Sequence, residues 1–300
     1  MMTLRVEEIV TRVPLWQGAT DLKISPLEGG ITNRNYRVDV GNDSFHLRLA
    51  GENTSMLGID REYEYQAALI AGQSDIGPQV VYFIEPEGYL ITRFINGRPI
   101  LPEELRQPEN IQRVVQALRK IHSGAHIPGT FNAFQVVRDY TEMAQRYRVQ
   151  FPENFGWLIE QMNNAEVALQ AHPPMQKPCH NDLVNANFLL AEKLYILDWE
   201  YAGMGDIFFD LANFSSNHEL STEEDRLLLD CYFGQLTSRN LAHFNIMKIM
   251  SDFREAMWGL VQIGISDLDF DFREYASKHF DRLTQKIQNP NWELWLRAVR

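Results

Sequence analysis

Between residues 180 and 200 the chain carries His180, Asn181, Asp182, Asn185 and Asn187, followed eleven residues after Asn187 by Asp198 and then by Glu200. A carboxylate in a loop accepts a proton from a hydroxyl when it lies within hydrogen-bond reach of the attacking oxygen, and Asp182 is placed for that work. Asn187 offers a neutral amide oxygen five residues later. Asp198 ends the apolar run 194–197, so a strand would hold its carboxylate at a fixed height beside the loop. Mg2+ takes one or two protein oxygens along with phosphate oxygens and water, and Asn187 with Asp198 is a pair of that kind. The bland alternative is a polar loop satisfying its own backbone, and few such loops need so many groups.

These residues need elements to hold them. Residues 3–18 read as a short helix, with Val6, Ile9, Val10 and Val13 at helical spacing and Pro14 ending it. Alternating runs at 35–40 and 44–49, joined by Gly41-Asn42-Asp43 and preceded by Gly29-Gly30, predict a β-hairpin entered through a glycine turn. A helix over 60–72 and strands over 79–84 and 89–94 complete an N-terminal lobe, 1–95. The Pro- and Gly-rich stretch 95–110 reads as a linker, and 96–300 as a mainly helical lobe with helices at 109–123, 138–150, 155–171, 220–238, 245–265 and 273–288. Two short strands around Glu192-Lys193 form a β-like island at 187–200, inside that helical lobe. The fold class is therefore α+β: a small antiparallel-sheet lobe and a mainly helical one.

Composition excludes several classes. Lys plus Arg is 28 against 40 for Asp plus Glu, a formal charge of −12 whose field repels phosphate backbones, so no nucleic-acid partner is expected. The same field suits a cationic small molecule. No apolar run of about 18 residues exists and the N-terminus mixes charges into its first turns, so no membrane insertion is expected and the location is read as cytoplasmic. Two cysteines, Cys179 and Cys231, are too few for a disulfide framework and are read as buried thiols.

The H-x-D-x-x-x-x-N arrangement followed by an apolar strand and Asp resembles the catalytic and metal loops of protein kinases. The strand ends in Asp-Trp-Glu at 198–200, not Asp-Phe-Gly, which points to the small-molecule branch of that superfamily. HNDLVNANFLL (180–190), ILDWEYAGMGDIFFDLANF (196–214) and GGITNRNYRV (29–38) together resemble the choline/ethanolamine kinases, within the wider aminoglycoside phosphotransferase superfamily, over nearly the whole chain. The resemblance implies a two-lobed protein-kinase-like fold and an enzyme that transfers the γ-phosphate of ATP, with Mg2+, to the hydroxyl of an amino alcohol, choline first and ethanolamine next. A homodimer is compatible with it. It implies Asp182 as general base or hydroxyl-orienting residue, Asn187 and Asp198 as magnesium ligands, His180 ordering the loop from behind and Asp210 bracing it. Gly29, Gly30, Thr32 and Asn33 would fold over the ATP phosphates, because backbone N–H groups approach phosphate closely where side chains are absent. Arg48 stands where protein kinases use Lys, with Glu62 or Glu64 as its partner and the family pattern favouring Glu64. The backbone from Arg93 to Ile95 would meet the adenine edge.

For the acceptor, a quaternary ammonium has no donors and is held by aromatic faces beside carboxylates. Glu200, Tyr201 and Trp258 are the expected acceptor residues, with Val261 where the resemblance expects a second Trp, and Tyr275, Trp292 and Trp295 as aromatics that either fill the gap or pack in the core. That gap leaves thiamine kinase and aminoglycoside phosphotransferase as alternatives, the latter favoured by the acidic stretch at 267–271. A catalytically silent metabolite-binding member is the non-enzymatic alternative, and it should have lost a ligand or the base, whereas Asp182, Asn187 and Asp198 are all present.

Overall fold

The structure is a computed structural model that describes residues 6–27, 33–51 and 54–300. Helix α1 (Val6–Val10) and a 3-10 turn at Pro14–Trp16 replace the single helix expected over 3–18. Strands β1 (Leu22–Leu27), β2 (Arg34–Val40) and β3 (Asp43–Leu49) follow, then helix α2 (Arg61–Gln73) and strands β4 (Val80–Ile84) and β5 (Tyr89–Arg93). They form one antiparallel sheet in the order β1-β2-β3-β5-β4. Period-two alternation puts Phe45, Leu47 and Leu49 of β3 into a core with Ile9, Val13, Trp16, Val38 and Ile91. Arg48 then points to the opposite face, toward α2. Helix α2 starts where the Asp60 side chain accepts the Glu62 and Tyr63 N–H groups. Its Ala67 and Ala71 pack into the second, larger core, so this helix belongs to the interface between the two halves of the sheet-and-helix body.

After β6 (Arg98–Pro99) the chain is mainly helical: α3 (Pro102–Leu105), α4 (Pro108–His122), α5 (Ala133–Arg146) and α6 (Phe155–Gln170). The β-like island follows as β7 (Lys177–Cys179), β8 (Phe188–Leu190), β9 (Leu194–Ile196) and β10 (Gly203–Gly205), with β6 pairing with β8 and so tying the linker to the hairpin. The rest is α7 (Ile207–Asn217), α8 (Thr222–Phe233), α9 (Ser238–Ile265), α10 (Phe272–Ile287) and α11 (Trp292–Val299).

Two helical expectations need correction. Helix α7 was not expected, because every residue from Phe208 to Ser216 is buried and the polar stripe that marks an amphipathic helix is missing. The helix expected over 220–238 stops at Phe233, where Gly234 takes φ 75°, and α9 begins afresh with the Thr237 hydroxyl accepting the Asn240 N–H. Cys179 is fully buried as expected, whereas Cys231 is half-buried. Among the described residues no helix is long and apolar enough to cross a membrane.

Helix α9 runs through the middle of the helical body and is clamped to α10 by charge. Asp252 on α9 is inaccessible and meets Lys286 at 2.5 Å, His279 at 3.0 Å and Arg282 at 3.3 Å, three α10 side chains spaced to share one helical face. Burial alone would raise the Asp252 pKa, yet these partners hold it below the usual carboxylate range, and burial lowers Lys286 to about 8. Removing the shared anion leaves buried cations facing one another. We expect Asp252→Ala to cost about 3–5 kcal/mol, on the order of 10 °C in Tm, measured by thermal denaturation; an unchanged Tm would show that the clamp carries no stability.

Candidate active site

The loop at 180–187 is held from below. Asp210, inaccessible in α7, accepts the His180 N–H at 2.9 Å, the Asn181 N–H at 2.7 Å and a His122 ring nitrogen at 3.0 Å. Asn213, one turn further along α7, accepts the Leu183 N–H at 2.6 Å. The unexpected helix is thus what fixes the loop. His180 is fully buried; one ring nitrogen accepts the Asp182 N–H at 3.2 Å and the other donates to the Leu197 carbonyl at 2.9 Å, which fixes the neutral tautomer. Burial lowers its pKa in the same sense. The ring therefore orders the loop from behind, and Leu183 is core.

The hairpin brings the three expected oxygens together. Phe188 pairs with Ile196, and the Leu197 N–H donates to the Asn187 carbonyl at 2.9 Å, which sets Asn187 opposite the end of the strand that delivers Asp198. Asn187 donates through its amide nitrogen to the Asp182 carbonyl at 2.9 Å and to Asp182 Oδ2 at 3.2 Å, leaving the amide oxygen for another ligand. Asp198 takes φ 60°, a left-handed conformation that Asp tolerates better than most side chains, and its Oδ1 is buried without a hydrogen-bond partner. A buried, unpaired carboxylate oxygen is costly unless a cation meets it. Burial, then the neighbouring Glu200 charge, push the Asp198 carboxyl up to about 7. Burial likewise pushes Asp182 up to about 6, against the pull of Arg254.

The sheet side supplies cations. Arg48 forms a buried ion pair with Glu64 and lies 3.6 Å from Asp198 Oδ1. Glu62 is exposed and bonded to Gln66, so the partner of Arg48 is Glu64. Arg61, which the sequence reading passed over, donates to Glu64 at 2.6 Å, to Glu200 at 3.1 Å and to Asn33 at 3.3 Å. Asn33 in turn donates to Glu200 at 3.2 Å. Glu200, expected against the acceptor, therefore turns its carboxylate toward α2 and the hairpin. Gly29, Gly30 and Thr32 lie outside the described residues. At the linker the Arg93 N–H is already bonded to the Gln79 carbonyl at 2.8 Å and the Phe94 N–H to the Ser44 carbonyl at 3.0 Å. Of the expected adenine contacts, the Arg93 N–H is thus committed to the sheet, and the Ile95 carbonyl accepts the Gly97 N–H at 3.0 Å.

On the other side of Asp182 the structure adds two residues. Arg254, in α9, is 2 % exposed; it donates to Asp182 Oδ1 at 3.1 Å and to Glu255 at 2.5 Å, and its guanidinium lies 4.3 Å over the Tyr201 ring. Glu255 also accepts the Tyr275 hydroxyl at 2.7 Å. Trp258 is buried, with Phe272 and Tyr275 edge-on to it at 5.7 and 5.6 Å. Arg254 and Trp258 are four apart in one helix, so their shared face was available as a signal. Trp292 is core, its indole N–H bonded to Gln161 at 3.0 Å, and Trp295 packs beside it on the same core. Asp271 of the acidic stretch caps α10 by accepting the Glu274 N–H.

The sequence profile of the choline/ethanolamine kinase family matches residues 24–230. The chain belongs to this family. Its members are phosphotransferases with an alcohol group as acceptor. A solved choline/ethanolamine kinase family protein from Mesorhizobium loti is 31% identical with a TM-score of 0.85, the match covering 100% of this chain and 99% of that one. The human choline/ethanolamine kinase is 24% identical, over 87% of this chain and 79% of its own length. The structure of LicA in complex with AMP, 21% identical and covering 94% and 96% of the two chains, superposes with a TM-score of 0.77 and shares the two-lobed protein-kinase-like fold.

Proposed function

We propose that this family member transfers the γ-phosphoryl group of ATP to the primary hydroxyl of a cationic amino alcohol, in the cleft between a nucleotide-binding lobe, 1–95, and a catalytic lobe, 96–300. The observation that carries this reading is the convergence of Asp182, Asn187 and Asp198 at one loop and hairpin, with an Asp198 oxygen buried and without a hydrogen-bond partner. Five carboxylates, Glu64, Asp182, Asp198, Glu200 and Glu255, meet three guanidiniums, Arg48, Arg61 and Arg254, and the excess negative charge fits a divalent cation. An all-oxygen donor set fits magnesium in particular. Asn187 and Asp198 would hold Mg2+, which supplies charge neutralisation at the transferring phosphoryl group when bound.

The chain's own groups do the rest. Arg48, fixed by Glu64, presents positive charge where the phosphates lie. Asp182 orients the acceptor hydroxyl and takes its proton as the new P–O bond forms. Arg254 and Asn187 keep the two Asp182 oxygens in place. A cavity of about 740 Å3 beside Glu200 and Tyr201 carries Asp60 and Asp139 on its walls, an acidic surface next to the site that suits a cation. The LicA–AMP complex and the family's name support adenine nucleotide and amino alcohol as the two substrates. Magnesium-dependent ADP release should appear with choline or ethanolamine and stay at the acceptor-free background with thiamine or an aminoglycoside. Release driven by thiamine or the aminoglycoside alone would replace the amino-alcohol reading.

A further inference from the structure

Arg61, the first residue of α2, joins carboxylates from both halves of the molecule. Its Nη1 donates to Glu64 Oε2 at 2.6 Å and to Glu200 Oε2 at 3.1 Å, and its Nη2 donates to Asn33 Oδ1 at 3.3 Å. The other Glu64 oxygen pairs with Arg48, whose guanidinium lies 3.6 Å from Asp198 Oδ1, and Asp198 stands two residues before Glu200. These contacts close a ring: Arg48, Glu64 and Arg61 from the sheet side, Glu200 and Asp198 from the helical side. The stem of Arg61 is seated as well. It packs on Gly88, in the turn between β4 and β5, where an added Cβ would come within 2.6 Å of the Arg61 Cβ.

Without Arg61, three carboxylates, Glu64, Asp198 and Glu200, would face one guanidinium, and Asn33 would be the remaining side-chain donor to Glu200 among the described residues. Glu64 would be held through one oxygen instead of two, so the spacing between Arg48 and Asp198 would no longer be fixed. We propose that Arg61 is a positioning residue, which holds Arg48 against Asp198 and so sets the affinity for Mg-ATP without acting on the acceptor. This deepens the phosphotransfer reading of the same site and rests on it.

Arg61→Met keeps the stem and removes the charge. Calorimetric titration should show Mg-ATP affinity lower by about tenfold or more, as for the loss of a charge-assisted hydrogen bond. Arg61→Lys keeps the charge without the planar fork and should fall between Arg61→Met and wild type. KM for choline or ethanolamine, whichever the wild type turns over, should change by less than about twofold in both variants. A merely structural residue would lower Tm and leave the affinity of the folded protein alone. Wild-type affinity in folded Arg61→Met, or an acceptor KM that rises as far as the Mg-ATP Kd, overturns the assignment; a wild type that binds no Mg-ATP overturns the nucleotide reading beneath it. Arg61→Met and Glu200→Gln remove two ends of one contact, so their combined effect on Mg-ATP affinity should fall short of the product of the two by roughly fivefold. The full product would mean that the ring does not act as a unit. Where Arg61→Met fails to fold, Arg61→Lys with Glu200→Gln gives the same comparison.

Discussion

Asp182→Asn lowers kcat by about 10^3-fold, within the 10^2 to 10^4 that general-base removal costs, while Mg-ATP affinity changes by less than about threefold. The expectation follows from where the carboxylate sits. One oxygen accepts from Arg254 at 3.1 Å and the other from the Asn187 amide nitrogen at 3.2 Å, so an amide keeps the first contact and gives up the second, the Asn187 bond to the residue-182 carbonyl still holds the loop, and the amide cannot take a proton. Both contacts belong to the helical half, and neither touches Arg48 or Glu64, which sit on the sheet side where the phosphates are proposed to bind. Nucleotide binding and chemistry therefore separate. Steady-state turnover measured beside a calorimetric titration of Mg-ATP checks both halves, and a variant retaining more than a tenth of wild-type kcat would remove Asp182 from the proton-accepting role.

The placement of Asp182, Asn187, Asp198 and Arg48 was legible because these residues are ordered by short-range geometry. The run from Asp182 to Asn187 is one loop, Asp198 ends one strand, and the period-two alternation of β3 puts Arg48 on the face away from Phe45 and Leu47 whatever the rest of the chain does. The choice between Glu62 and Glu64 stayed open in the sequence because it depends on which way α2 is turned, and that is set by Ala67 and Ala71 packing into the distant helical core. The acceptor side depends almost wholly on long-range packing. Arg254 and Glu255 lie more than seventy positions after Asp182, in a stretch of α9 where every residue from Ile249 to Gln262, polar or apolar, is buried, so no amphipathic period marks their face. Glu200 follows the metal strand directly, yet Arg61 and Asn33 draw it toward the sheet, and that pull involves three separate segments. Helix α7 was missed for a related reason: with both faces buried it shows no amphipathic period, though it supplies the Asp210 and Asn213 acceptors that shape the loop.

Asp198→Asn should abolish turnover, by about 10^3-fold or more, and make the metal-free protein more stable at alkaline pH, a combination that a merely structural residue cannot give. The wild-type carboxyl is pushed up to about 7, chiefly by burial and then by Glu200. A cation binding there competes with the proton, so the apparent affinity for Mg2+ should climb by about tenfold per pH unit below about 7 and level off above it, and the Asp198→Asn variant should lose both the affinity and the slope. The stability effect has the opposite sense. The folded-state pKa lies above the unfolded one, so the folded protein binds the proton more tightly; the stability this contributes is full below the unfolded value near 3.8 and is lost as pH rises through about 7. Above that pH the metal-free wild type carries an ionised carboxylate whose Oδ1 is buried without a hydrogen bond, offset only by Arg48 at 3.6 Å, and the amide variant does not. Thermal denaturation in a chelator at pH 5 and pH 8 should show the variant above wild type by a margin that widens from the lower pH to the higher, and a variant less stable than wild type at pH 8 would mean that Asp198 is held by the fold for its own sake, as a partner of Arg48.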